Sequence, residues 1–209
     1  HEAAFYRNTI IHHFIDRAIT ELSLLGAAEG DDPDINRATW RNARRLKELL
    51  KFEFFFPTTR VFAEQIAEEA ELVYPGWQDD TWTPGGVMAE FRQVRLHLAH
   101  RVVGPFLEAY NVLAGELEKY APDAVIDESE LVERCLGLAQ QYWLQKTLHT
   151  PESISRDYFR NAFLLAENQK LIDPGEPDLA RRRAVFAEEI RTLVRRTDEI
   201  RLLAAESGQ

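Results

Sequence analysis

Cysteine occurs once in these 209 residues, at position 135. A single thiol excludes a disulfide framework and any multi-cysteine zinc site. It fits a reducing compartment. No window of about 18 residues is free of charge, so no membrane-crossing helix is expected. No basic segment leads into a long apolar run at the start, so no signal peptide is expected. Gly-x-Ser-x-Gly, Gly-x-Gly-x-x-Gly and P-loop patterns are missing. Their absence speaks against hydrolase-elbow, dinucleotide-binding and NTPase chemistry. Positive charge is in the minority, with 25 Lys and Arg against 35 Asp and Glu and a net charge of −10. A dedicated nucleic-acid binder needs a basic surface, so that class is disfavoured, although local basic patches remain allowed. Residue 1 is histidine rather than methionine. The sequence therefore reads as a processed chain or as part of a longer one.

What is present is a 3.6-residue period. Hydrophobic residues make up 45% and charged residues 29%, a globular composition. From Phe5, the residues Ile11, Phe14, Ile15, Ala18, Ile19, Leu22 and Leu25 mark one amphipathic helix ending near Gly26. Asp34 can cap a second helix that stops before Pro57. Thr58 or Thr59 opens a third, through Phe62, Ile66, Ala70 and Val73. The stretch from Gln78 to Gly86 reads as an irregular loop or a short hairpin. A long fourth pattern runs from Val87 to about Tyr120, with a kink or a break expected at Gly104-Pro105. Asp127 or Ser129 opens a fifth helix. A sixth runs from about Ser153 to Leu171, and a seventh follows Pro174-Gly175-Glu176-Pro177. The expected fold is all-α, with about seven helices in one body or in two subdomains divided near 78–86.

Few residues suggest chemistry. His12 and Asp16 can share a helix face, which is most simply a surface contact. His97 and His100 lie three apart, but a metal needs three or four ligands, so neither a metal nor another cofactor is expected. Cys135 falls on an apolar face and reads as a small hydrophobe. Arg37, Arg41, Arg44, Arg45, Lys47 and Lys51 make the second helix basic. Arg181, Arg182, Arg183, Arg195 and Arg196 do the same for the last. Such faces can meet anionic lipid headgroups or simply be solvated. Phe52, Phe54, Phe55 and Phe56 cannot all face one side of a helix, so some must reach a second surface. The membrane-contact candidates are Arg41, Arg44, Arg45, Phe54, Phe55 and Phe56.

The opening segment Phe5-Tyr6-Arg7-Asn8-Thr9-Ile10-Ile11-His12-His13-Phe14 resembles the Tyr-Arg-Asn segment of bacterial and mitochondrial-type glycerol-3-phosphate acyltransferases. In that family the segment opens the helical region after the catalytic domain. Lys51-Phe52-Glu53-Phe54-Phe55, Glu108-Ala109-Tyr110 and the Ser155–Leu171 stretch fit the same layout. The resemblance implies a C-terminal helical part of an enzyme of phospholipid synthesis. That enzyme moves an acyl group from acyl-CoA or acyl carrier protein to the sn-1 hydroxyl of glycerol 3-phosphate. The family's general base is the histidine of a His-x-x-x-x-Asp motif. None of the six histidines here has aspartate five residues later, and the family's Glu-Gly-Thr-Arg phosphate segment is missing too. The chain alone is therefore expected to be inactive.

Its implied partners are the catalytic domain of the same polypeptide and, through it, acyl donor and glycerol 3-phosphate. The implied location is peripheral, on the cytoplasmic face of the cell membrane, with an anionic surface as a further partner. Tyr6, Arg7 and Asn8 are candidates for substrate or interface contact. Arg7 can pair with a phosphate or a carboxylate, or tie the first helix to its neighbour. The alternative reading is a stand-alone helical adaptor or a ligand-binding regulatory domain. A helix-turn-helix DNA reader is not expected, because the first helix is too long and no short glycine turn follows it.

Overall fold

The computed structural model describes residues 14–78, 83–94 and 96–207. Among the described residues the fold is all-α, with no strand. In chain order the helices are α1 (Ile15–Glu29), α2 (Ile35–Leu50), α3 (Thr59–Val73), α4 (Pro84–Gln93) and α5 (Ala99–Val102). They continue with α6 (Gly104–Leu117), α7 (Glu128–Leu144), α8 (Arg156–Asn168) and α9 (Leu179–Glu206), and a 3₁₀ turn at Pro151–Ser153 precedes α8. The chain divides into two compact units. The first holds His1–Val103 and Arg196–Gln209, and the second Gly104–Arg195.

The first unit is built around α1. Eleven of its 15 residues are buried, so it is covered on all sides rather than along one stripe. It packs against α2, α3, α4 and α5. Gly26 does not stop this helix, which runs on to Glu29. A Cβ at Gly26 would stand 2.5 Å from Arg196 Nη1 and 3.0 Å from Asn42 Nδ2. The glycine is there for close approach, not for a turn. Asp34 caps α2, its Oδ1 accepting the Arg37 N–H at 2.8 Å.

The second unit is built around α6, with 12 of 14 residues buried against α7, α8 and the 3₁₀ turn. Pro105 sits in the first turn of α6, where a missing N–H costs nothing. The expected long fourth helix is thus broken, both here and between α4 and α5. Helices α7 and α8 end on residues that favour neither stop. Lys146 and Lys170 take φ of 60° and 55°, the left-handed position usually held by glycine. Arg183 is fully buried and donates to the carbonyls of Tyr120, Ala121, Leu171 and Ile172. It joins the chain just after α6 to the chain just after α8, where helix dipoles are negative.

Candidate functional site

The outer face of α2 and the turn behind it gather most of the sequence candidates that the structure describes. Ile35, Ala38, Ala43, Leu46, Leu49 and Leu50 point inward at helical spacing. Arg37, Arg41, Arg44, Arg45 and Glu48 are left outside. The basic stripe is neutralised at its N-terminal end. Asp32 pairs with Arg37 at 2.6 Å and with Arg41 at 2.8 Å, and accepts the Asp34 N–H at 3.1 Å. The two guanidinium groups hold the Asp32 carboxyl far below the usual carboxylate range. Arg44 makes no ion pair among the described residues. Lys47, one turn further on, is drawn inward. Its ammonium donates to the Pro57 carbonyl at 3.0 Å and lies 4.8 Å from the Phe62 ring centroid.

The aromatic run splits by helical period. The Phe54 N–H donates to the Leu50 carbonyl at 3.1 Å, so the helical turn carries on past α2. That places Phe54 under Leu50, and it is 5% exposed. Phe54 is therefore a core residue rather than a surface contact, because the period that buries Leu50 also buries its i+4 neighbour. Phe56 is half-buried, with its ring edge-on to Phe62 at 5.7 Å. Phe55 is 95% exposed. Phe52 is exposed beneath the Lys51 ammonium, 5.6 Å from its ring. Of the membrane-contact set, Arg41, Arg44, Arg45 and Phe55 stand on the surface, with Arg41 already held by Asp32.

Tyr6, Arg7, Asn8, His12 and His13 lie outside the described residues. His97 is fully buried with its ring stacked on Phe91 at 5.9 Å. Burial lowers its pKa, and pushes that of the half-buried His100 down to about 4. Burial pushes the Cys135 thiol up to about 12, which makes it a poor nucleophile. No group of three or more metal-ligating side chains occurs among the described residues.

Two buried carboxylates anchor backbone, Glu21, which the sequence did not single out, and Glu108, which it named only within the family layout. Glu21 on α1 accepts the N–H groups of Leu98 and Ala99 at 3.0 and 2.9 Å, and Arg17 Nε at 2.9 Å. Glu108 on α6 accepts the His149 N–H at 2.8 Å and the hydroxyls of Thr150 and Ser153. The available signal was a lone glutamate inside an apolar helical run. Both carboxylates hold backbone in place. Ser153 is wholly buried, so no substrate reaches its hydroxyl. An open depression of about 710 Å³ beside Trp77 has Glu68 and Glu71 among its lining residues, the wrong sign for a phosphate.

The family described as "Glycerol-3-phosphate acyltransferase C-terminal region" matches residues 1–175. A protein named as a candidate acyltransferase, plsB1, in Mycobacterium tuberculosis is 40% identical over 208 residues. Its namesake in Mycobacterium bovis is equally similar. Each alignment covers 97% of this chain and 33% of the relative. The chain thus spans about a third of the length of the curated relatives it matches. No solved structure matches it significantly.

Proposed function

This chain belongs to the glycerol-3-phosphate acyltransferase C-terminal region family, and on that premise we propose that it is the helical part of a glycerol-3-phosphate 1-O-acyltransferase, packed on a catalytic region of the same polypeptide. The observation that carries the proposal is the family match over residues 1–175. The catalytic region supplies the histidine base and binds the acyl donor, acyl-CoA or acyl carrier protein. In this reading the helical part acts by position. Tyr6, Arg7 and Asn8 stand where it joins the catalytic region, and Arg7 offers a guanidinium to the phosphate of glycerol 3-phosphate. The enzyme works from the cytoplasmic face of the membrane as a peripheral protein, since its product is a lipid. Among the described residues no helix is long and apolar enough to cross a bilayer.

The test is acyl transfer to glycerol 3-phosphate by the chain alone and by the longer polypeptide with and without residues 1–209. The chain alone should be inactive, the polypeptide active, and the truncated polypeptide inactive. Turnover by the chain alone, or full activity after truncation, overturns the proposal. Arg7→Ala in the active polypeptide should raise KM for glycerol 3-phosphate about tenfold or more, the effect of losing one charge-assisted contact. An unchanged KM with intact kcat removes Arg7 from the pocket.

A further inference from the structure

We propose that the C-terminal end of α2 and the turn behind it form the face with which this chain meets an anionic lipid bilayer. Phe55 and Phe52 enter the interface, and Arg44 and Lys51 meet the phosphate headgroups. The inference deepens the membrane location proposed above and rests on it. Its test is independent of acyl transfer.

Three observations converge on this turn. The first is shape and polarity. Phe55 is 95% exposed, and Phe52 lies exposed two positions beyond the end of α2. Two exposed rings within four residues of one turn are suited to an interface that takes side chains only to headgroup depth. The second is charge. Between residues 37 and 60 there are seven basic residues against two acidic ones, in a chain whose net charge is −10. The rest of the chain is net negative, so an anionic surface attracts this segment more than the chain average, as it does the basic stretch 181–196. Asp32 neutralises Arg37 and Arg41 at the far end of α2. The positive potential is left at the end that carries the rings.

The third is local geometry. Arg44 has no ion-pair partner among the described residues. The Lys51 ammonium stands 5.6 Å over the Phe52 ring. A cation over an exposed ring suits a side chain that keeps its charged head in the headgroup layer. The Lys51–Glu48 contact at 3.1 Å and the Arg60–Glu64 contact at 2.8 Å are exposed pairs, which open at little cost. The occupant is lipid rather than a protein groove because the segment that carries Phe55 is net basic in a net acidic chain. The matching surface must therefore present dense negative charge around an apolar layer.

The experiment is co-sedimentation of the 209-residue chain with phosphatidylcholine vesicles, with and without phosphatidylglycerol, at low and high salt. Binding should require the anionic lipid and weaken with salt. Arg44→Ala should lower the partition coefficient about fivefold. Phe55→Ser should lower it about tenfold. Val125→Ser, on another exposed apolar residue, should leave it unchanged. Circular dichroism of each variant checks that the helices are intact. Absence of binding to anionic vesicles overturns the inference. So does a Phe55→Ser protein that binds as the parent does. If that variant instead loses association with a co-expressed catalytic region, the face belongs to the protein partner and the lipid assignment fails. The acyl-transfer proposal stands or falls separately, on turnover.

Discussion

Glu21 shows what one residue decides in this fold. Its side chain is wholly buried, and its two oxygens accept the backbone N–H groups that open α5. Arg17 supplies the neutralising charge at 2.9 Å. Burial still raises the Glu21 pKa above its ordinary value, because desolvation outweighs the donors. Removing the carboxylate leaves two amides and a guanidinium without their acceptor. Glu21→Ala should therefore cost about 3 kcal/mol of stability, read from urea unfolding. A loss under about 1 kcal/mol would mean that water replaces the carboxylate at the α5 terminus. Arg183 is the counterpart in the second unit, a buried cation held by four carbonyls.

At the scale of elements, α2 and its continuation sort four phenylalanines by period alone. Phe54 falls one turn after Leu50 and goes inside, whereas Phe55, the next residue, goes outside. The two positions should respond differently to the same change. Phe54→Ala should destabilise the protein by about 3 kcal/mol. Phe55→Ala should shift stability by no more than about 0.5 kcal/mol. Thermal melts of the two variants side by side check this. Equal losses would show that Phe55 is covered in solution. The stops of α7 and α8 are also settled at this scale. The Thr147 N–H reaches the Tyr142 carbonyl at 2.9 Å, and the Leu171 N–H reaches Ala166 at 2.9 Å. Each bond closes a helix end around a left-handed lysine.

The whole molecule carries a pH dependence whose sign can be worked out. His100 is driven down to about 4, first by burial and then by Arg101, His97 and Arg201. His97 moves in the same direction. An unfolded chain takes up these protons near the ordinary value of 6.5, whereas the folded one refuses them. The His100 contribution is whole above pH 6.5 and is lost as the pH falls toward about 4. Asp16 and Glu21, both raised, act oppositely in the lower part of that range. The clean observable is thus a difference. His100→Asn should lose less stability than the parent between pH 7 and pH 5, by urea midpoints. Parallel curves would show that His100 is protonated normally in the fold.

The amino-acid sequence by itself determined the helices and the family. A 3.6-residue period with Asp34, Asp127 and Pro105 at helix starts is local information, and it survives in any packing. The Tyr-Arg-Asn opening and the apolar run after α2 carried the kinship in the same way. Only the tertiary structure decided where a regular pattern must break. The run from Val87 to Val103 looks continuous in sequence, yet Val94 turns extended and Glu21, 77 residues away from Leu98, caps the restart. Gly26 reads as a stop in sequence, but Arg196 and Asn42 use it for close approach. The aromatic run could not be sorted without knowing that the turn after Leu50 stays helical. In the first two cases the deciding partner lies far along the chain, and periodicity reports only what neighbours three and four residues apart can share.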